Sequence, residues 1–582
     1  MKHQGQTTSD QISTRIGVTI GDMSSSGDTA ATFCATLVDE WERQGVVHAV
    51  VAPGSRSTPL AIALSRSDII RVHVFHDERS AAFAALGIGS ASGAPAILLC
   101  TSGTAATHFH AAVVEAHQSD VPMIVCTADR PPELRDVAAP QTIDQTHLFG
   151  SAVRWFHDPG VPSREASSSW RSLAARSVQA SVGVRPGPVH LNLPFREPLV
   201  GNVVDMPQAR DGSWSVVSRL SASTEHGEEH VAQILSGRRG VVIAGRGAGR
   251  DVLLLANALG WPIFADPLSG VRENDDAVII GFDSILRSDA FASSHFPEVV
   301  VRVGSTPASK VLSQWVTRSG ARIVQLRSSE MVIDQDHSVE ANVVGDIGSS
   351  IRVLAKSVTS CDKKWREEWI ASERVAQKVI DMWASRNFSE PSVARAVTAA
   401  MNVGEHLVIS SSMPIRDVEW YGTATPGVTV YSNRGANGID GVVSTAVGVA
   451  LATRAPVTLL IGDVACIHDS NGLWALNRRE VDLKIVVTNN DGGSIFSFLP
   501  QASVVSENTF ELLYGTPHGV SFEHLAAAHG IEFDRASSTE DLHHALSRHG
   551  TRLIEVPCDR SVNVAQHEAL QAEVISAIEA MA

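Results

Sequence analysis

The sequence has few aromatics and few cysteines, an excess of acidic over basic charge, and no long apolar run. Phe, Trp and Tyr make up 5% of 582 residues, so its cores must rest mainly on aliphatic and alanine packing. The six cysteines, Cys34, Cys100, Cys126, Cys361, Cys466 and Cys558, are scattered and form no CxxC pair. This argues against a zinc ribbon or a disulfide framework and makes small buried hydrophobes of most of them. Lys and Arg number 47 against 63 Asp and Glu, a formal net charge of −16. Neither nucleic acid nor an anionic membrane is an expected partner of such a chain, and an anionic substrate would need a local cluster of arginines. No segment reaches the roughly 18 apolar residues of a membrane span. Residues 1–27 are polar and Ser/Thr-rich, without the apolar core of a signal peptide. They read as a flexible extension, and the expected location is the cytoplasm.

The length suits three domains of roughly 150–200 residues. Short apolar runs alternate with helical patterns throughout, which predicts an α/β chain of three domains, each a mostly parallel sheet flanked by helices. The expected divisions are 28–205, 206–360, a linker helix over 361–388, and 389–582. Strands are expected at 46–52, 96–100 and 122–127 in the first domain, at 241–244, 299–303 and 322–326 in the second, and at 407–410, 457–461 and 483–488 in the third. Thr58 followed by Pro59 predicts a helix with Thr58 as its N-cap. The run Gly245-Arg246-Gly247-Ala248-Gly249 follows a strand but departs from GxGxxG, and no acid is placed for a ribose contact. It reads as a tight turn in a structural domain.

The strongest chemical signal lies in the third region. Gly462-Asp463 ends one strand and Asn489-Asn490 ends another, with a helical pattern over Asn471–Glu480 between them. Parallel strands joined by a helix bring both C-terminal ends to one edge of the sheet, where open α/β sheets bind ligands. Asp463 would give a carboxylate oxygen, Asn490 an amide oxygen and Gly492 a backbone carbonyl. Three protein oxygens leave room in the octahedral shell of Mg²⁺ for two diphosphate oxygens and a water.

In the first region His76-Asp77-Glu78-Arg79 opens a helix of small residues. By itself Glu78 reads as an acid at a helix start. Across the chain, however, PGSRSTPL (53–60), HDERSAAF (76–83), TSGTA (101–105), TADRPPEL (127–134), QTIDQ (141–145), RPGPVHLNLPFREPL (185–199), SNRGANGIDG (432–441), GDVACIHDSNGL (462–473) and NNDGGSIFSFLP (489–500) occur in order. Together they closely resemble the 2-succinyl-5-enolpyruvyl-6-hydroxy-3-cyclohexene-1-carboxylate synthase family, thiamine-diphosphate transferases of menaquinone biosynthesis. The resemblance implies thiamine diphosphate with Mg²⁺ or Mn²⁺ as cofactors. It implies that Glu78 shares a proton with N1′ of the aminopyrimidine, that Ile439 props the cofactor into a bent conformation, and that Asp463, Asn490 and Gly492 hold the metal. The first domain would then bind the pyrimidine and the third the diphosphate of a neighbouring chain, so a homodimer or a dimer of dimers is expected.

The same resemblance implies decarboxylation of 2-oxoglutarate and 1,4-addition of the succinyl unit to isochorismate. Two dianionic substrates need several cations, and arginine suits carboxylates because it binds them in a bidentate fork. The matched positions are Arg56, Arg130, Lys310, Arg416 and Arg434. Gln141 and Ser412 match polar contacts, Ser412 for the cofactor as well, and Phe496 and Leu499 match an apolar wall. Two departures stand out: His108 and His110 follow the TSGTA segment, and Ser411-Ser412 stands where the family more often has Asn-Ser. Another thiamine-diphosphate enzyme, such as an acetohydroxyacid synthase or a 2-oxo acid decarboxylase, is the alternative reading. The arginines of SRS and SNRG argue against it.

Overall fold

The computed structural model describes residues 20–217, 225–329, 331–474 and 476–581. The chain divides into two compact units at residue 217. The first unit contains β1 (His48–Val51), β2 (Arg71–Val74), β3 (Ala96–Cys100), β4 (Met123–Asp129), β5 (Trp155–His157) and β6 (Pro188–Pro194). They pair in parallel in the order β2-β1-β3-β4-β6-β5. The central strands are buried along their whole length. Continuous aliphatic runs such as AILLC therefore appear where an alternating pattern would mark a half-exposed sheet.

Two local expectations change here. The first helix runs Ile20–Arg43 and crosses the boundary expected at residue 28, while residues 1–19 lie outside the described residues. Phe33, Leu37 and Trp41 on this helix are buried in the first core, and Gly27 lies so close to Pro198 and Val200 that a Cβ would sit 2.9 Å from the Val200 carbonyl oxygen, so the helix packs on the unit from before residue 28. The helix after β1 spans Thr58–Ser65, and its N-cap is Ser57, not Thr58. Ser57 makes no side-chain cap, because its hydroxyl donates backwards to the Gly54 carbonyl (2.9 Å).

The second unit holds two sheets. The middle one contains β7 (Gly240–Ala244), β8 (Ile263–Ala265), β9 (Val278–Ile279), β10 (Val299–Val303), β11 (Arg322–Arg327) and β12 (Val339–Val344) in the order β12-β11-β10-β7-β8-β9. The other contains β13 (His406–Ile409), β14 (Thr429–Tyr431), β15 (Val457–Gly462), β16 (Leu483–Asn489), β17 (Glu532–Arg535) and β18 (Arg552–Pro557) in the order β14-β13-β15-β16-β18-β17. This last order repeats that of the first unit strand for strand. The middle sheet instead has the doubly wound order in which the chain reverses between β7 and β10.

That reversal point is closed. Arg246 N donates to Ser305 Oγ (2.9 Å), and Ser305 N donates back to the Arg246 carbonyl (3.0 Å). A Cβ on Gly245 would lie 1.7 Å from the Ser305 carbonyl oxygen. The glycine run after β7 thus serves loop-to-loop contact, in keeping with a structural turn.

The helix Lys363–Arg386 buries Trp365, Trp369, Ala376, Ile380 and Trp383 against the middle core. These positions recur at helical spacing on one stripe, so charged residues cover only the outer face. Arg272 joins the two sheets of this unit. Its guanidinium donates to the carbonyls of Ala265 (3.0 Å), Val418 (2.7 Å) and Glu419 (3.0 Å), the last two at the end of the helix Met413–Tyr421.

Candidate active site

In the last sheet β15 and β16 are parallel neighbours, with Gly462 opposite Thr488. Asp463 and Asn490 therefore leave the sheet side by side, as the spacing predicts. Asp463 opens the short helix Asp463–His468 and is 2% exposed. Its Oδ2 accepts from the backbone N–H of Asn490 and of Gly492, each at 3.0 Å. Its Oδ1 accepts from Val464 N (2.6 Å), and His518 Nε2 lies 3.3 Å from Oδ2. One carboxylate thus organises the whole turn.

Gly492 has φ 143°, and a Cβ there would lie 1.9 Å from the Gly515 carbonyl oxygen, so no other residue fits without displacing backbone. Asn490 donates its Nδ2 to Glu390 Oε1 (2.8 Å), while its Oδ1 is buried with no hydrogen-bond partner. An unpartnered buried carbonyl oxygen is costly unless a bound cation or water engages it. Beside a carboxylate and a turn carbonyl it forms a set of hard oxygen donors, which suits Mg²⁺ or Mn²⁺. Among the described residues no cluster of three His, Cys, Asp or Glu side chains offers another metal site.

The helix expected over Asn471–Glu480 is not formed. The α-helix comes earlier, at Asp463–His468, and two short 3₁₀ turns follow at Ser470–Leu473 and Leu476–Arg478, with Ala475 outside the described residues. The physical reason is tertiary. Asp469 caps a different helix, Val442–Thr453, by accepting from Ser444 N (2.7 Å) and Ser444 Oγ (3.1 Å). Gly472 packs so closely on Ser444 that a Cβ would sit 2.7 Å from its hydroxyl.

β13 and β15 flank the point where this sheet reverses direction, the usual crevice for a ligand. Ser410, Ser411 and Ser412 leave β13 here, and Ser411 Oγ donates to the Asn433 carbonyl (3.2 Å). Ser412 has φ 76° and ψ −134°, a conformation otherwise suited to glycine, and N-caps the helix Met413–Tyr421. Its carbonyl accepts from Arg416 Nη1 (2.6 Å). Burial pulls Arg416 below the usual arginine range, and the positive charge of Arg434 pulls it further. Arg416 and Arg434 are thus close enough to repel.

Lys310 opens the helix Lys310–Ser319 in the middle sheet's domain and is exposed. The backbone N–H groups of Ala308 (2.9 Å) and Ser309 (3.2 Å) donate to Glu419 Oε1, on the helix that carries Arg416. The lysine's loop is therefore tied to the arginine's helix. Ile439 is half-buried in the loop that leads to Gly441, where φ is 65° and the helix Val442–Thr453 begins. Phe496 lies in the turn Ser494–Phe498 with its ring 5.4 Å from Tyr514, and Leu499 just after it is 41% exposed.

In the first unit Arg56, Arg130 and the loop of Gln141 all follow C-terminal strand ends on one edge. Arg56 is buried and largely engaged, donating to the Phe195 carbonyl (2.8 Å) and to Glu197 (3.0 Å). Arg130 donates to the Pro140 carbonyl (3.1 Å). Gln141 has φ 56°, and its Nε2 donates to the Ser102 carbonyl (3.1 Å). Ion pairs of the described residues include Arg56 but not Arg130, Lys310, Arg416 or Arg434. Glu78 is the first residue of the helix Glu78–Ser92, half-buried, with Ala81 to Ala85 buried behind it. Burial pushes the Cys100 thiol up and the negative charge of Glu78 adds to it, so the carboxylate lies near the end of β3.

Sequence reasoning missed a buried polar group behind the turn at Asn490. Glu390, at the start of the helix Glu390–Ala399, has its carboxyl pushed up to about 7 by burial and by the charge of Asp417. Asp417 accepts from His567 Nε2 (2.9 Å), and His567 Nδ1 faces the Asn563 carbonyl (2.8 Å). Both ring nitrogens lie within hydrogen-bond distance of oxygens, an arrangement that favours the charged imidazolium. Burial alone would lower His567; the charge of Asp417 and its hydrogen bond outweigh that and hold it above its ordinary value. The only signal in the sequence was Ser389-Glu390-Pro391, which reads as a helix start.

Comparison with known proteins identifies the domains. A family model described as thiamine pyrophosphate enzyme, N-terminal TPP binding domain, matches residues 31–148. One described as middle domain of thiamine pyrophosphate matches 209–409, and the C-terminal TPP binding domain model matches 421–556. The 2-succinyl-5-enolpyruvyl-6-hydroxy-3-cyclohexene-1-carboxylate synthase of Chloroflexus aurantiacus is 40% identical over 568 residues, covering 94% of this chain and 96% of its own. Proteins of the same name from Thermobifida fusca (41% over 562 residues, 94% and 99% covered) and Myxococcus xanthus (37% over 583, 96% and 99%) are similarly close.

Proposed function

This chain belongs to the 2-succinyl-5-enolpyruvyl-6-hydroxy-3-cyclohexene-1-carboxylate synthase family of thiamine-diphosphate enzymes, and on that footing we propose that it decarboxylates 2-oxoglutarate and adds the succinyl unit to isochorismate. Thiamine diphosphate, when bound, supplies a nucleophilic thiazolium carbon and an electron sink for the decarboxylation. The chain's own residues bind, orient and move protons. Asp463, Asn490 and the Gly492 carbonyl would hold a Mg²⁺ or Mn²⁺ that carries the diphosphate. Glu78 would keep a proton at N1′ of the aminopyrimidine, with the alanine wall behind it, and Ile439 would support the cofactor from below.

The substrate carboxylates would fall to Arg416, Arg434 and Lys310 of one chain and to Arg130, Gln141 and Arg56 of another. Ser412 would add a polar contact, and Phe496 with Leu499 an apolar side. Arg56 has the least freedom, since two of its nitrogens already serve Phe195 and Glu197. In this reading residues 28–205 bind the pyrimidine, 206–360 are structural, and 389–582 bind the diphosphate of the neighbouring chain. The working unit is then a homodimer or a dimer of dimers. A cytoplasmic setting is supported by six unpaired cysteines.

The observation that carries this reading is the turn at β15 and β16, where Asp463 holds the loop and the buried Asn490 oxygen lacks a partner. The decisive experiment supplies purified protein with thiamine diphosphate, Mg²⁺, 2-oxoglutarate and isochorismate. Release of carbon dioxide matched by the six-membered-ring succinyl product is expected. Turnover of pyruvate alone, with 2-oxoglutarate ignored, would instead make it an acetohydroxyacid-synthase-like enzyme.

A further inference from the structure

One side chain, Glu390, decides how the carboxamide of Asn490 is presented. A carboxamide has an acceptor end and a donor end, and rotation by half a turn exchanges them. A cation needs the oxygen. Here the amino end points at Glu390, whose Oε1 accepts it at 2.8 Å, and the oxygen end is left buried and unpartnered. The flipped amide would set its oxygen against the Glu390 carboxyl and turn N–H groups toward the cation position. Glu390 itself has little room to rearrange. It is 3% exposed, in the first turn of the helix Glu390–Ala399, and it senses the charges of Asp417, His567 and Asp463.

A second contact fixes the same turn from behind. Asn563, on the C-terminal helix Arg560–Glu579, donates its Nδ2 to Ser494 Oγ (2.7 Å), just past Gly492-Gly493. The same helix supplies His567 to Asp417.

We propose that Glu390 is the positioning residue of the cation site: by accepting Asn490 Nδ2–H it fixes the carboxamide with Oδ1 toward the metal. The inference rests on the reading of Asn490 as a metal ligand. Glu390 touches neither metal nor substrate; it acts through Asn490, as outer partners of metal ligands commonly do.

The test is Mn²⁺ affinity of the full-length protein in saturating thiamine diphosphate, read by electron paramagnetic resonance as free against bound ion. Glu390→Leu is expected to weaken Mn²⁺ binding ~10–100-fold, the usual cost of losing such a partner. Glu390→Gln, which still offers a carbonyl oxygen to Nδ2, is expected to stay within ~3-fold of the parent protein. Asn490→Asp places a carboxylate against Glu390 and should bind Mn²⁺ poorly. Adding Glu390→Gln to it, so that the new amide donates to the new carboxylate, should recover at least ~10-fold. Loss of packing alone would not produce that recovery, which also guards against Glu390→Leu failing to fold.

Unchanged affinity in a folded Glu390→Leu protein, or no recovery in the double variant, would overturn the role of Glu390 while leaving the site in place. If Asn490→Ala binds Mn²⁺ as tightly as the parent, the metal-ligand reading itself falls, and the Glu390 inference with it.

Discussion

Ser412 holds a backbone conformation, φ 76° and ψ −134°, that Gly103 adopts elsewhere in the chain at φ 84° and ψ −143°. A non-glycine residue in this region costs on the order of 1–3 kcal/mol, retained when the surroundings demand it. Here the demand is the Ser412 carbonyl, which accepts from Arg416. Ser412→Gly should therefore raise the unfolding free energy of the protein without ligands by about 1 kcal/mol, measured by urea denaturation. An unchanged or lowered value would show that the conformation carries no strain. His190 makes a second prediction at this scale. It is fully buried on β6 between Phe149 and Phe156, with Nε2 2.7 Å from Thr127 Oγ1, and burial lowers it to about 3. Its folded value lies below the unfolded one near 6.5, so the unfolded chain takes up the proton first. Stability from this group is complete above about pH 6.5 and falls as the pH drops below it, by about 2 kcal/mol at pH 5. Replacing His190 by Gln should flatten that part of the pH–stability curve, followed by tryptophan fluorescence in denaturant.

At the scale of elements, the helix Met413–Tyr421 bears Ser412 and Arg416 at its start and is held at its end by Arg272. That arginine is buried and spans three carbonyls, two of them on the last turn of this helix. Removing the guanidinium takes a donor from each of those carbonyls, with Val418 keeping Gly422 N (3.1 Å), and takes a neighbouring positive charge from the carboxyls of Asp266 and Glu419. Arg272→Met should cost about 3–5 kcal/mol in denaturant unfolding, the range for breaking a buried charged contact. A cost under about 1 kcal/mol would mean that the helix is positioned by its apolar face alone. Elements also show where the sequence was easy or hard to read. Strands Ala96–Cys100 and Val299–Val303 and the helix near 363–386 follow directly from apolar runs and helical spacing, because both faces or one stripe are simply buried. The segment Asn471–Glu480 has helical spacing too, yet Asp469 and Gly472 are drawn into capping and packing on a helix some 25 residues earlier. Local pattern held no trace of that competition.

For the whole molecule, the first and last sheets share one strand order while the middle sheet has another. Each repeated sheet presents its chemistry at C-terminal strand ends: Glu78, Arg56 and Arg130 in the first unit, Asp463, Asn490 and Ser412 in the last sheet. The proposed dimer joins one set to the other across two chains, which makes a sharp prediction. A dimer of one Glu78→Gln chain and one Asp463→Ala chain concentrates both lesions in one of its two sites and leaves the other intact. Chains of the two variants, each nearly inactive alone, should on co-expression and random pairing recover about a quarter of the parent activity. No recovery in verified mixed dimers would place both residues in a site made by a single chain.

The amino-acid sequence by itself determined the fold class, the parallel sheets and the Asp463–Asn490 pairing, because these depend on side-chain period and on spacing along adjacent strands. It also carried the family, through motifs spread over nearly the whole chain. Only the tertiary structure decided what stands behind the motifs. Glu390, Asp417 and His567 lie far apart in the chain and meet because three helices pack at one place. It likewise decided that Arg56 is held by Phe195 and Glu197 while Arg416 and Arg434 lie close enough to repel. Burial and partner choice arise from contacts between distant segments, and no local pattern encodes them.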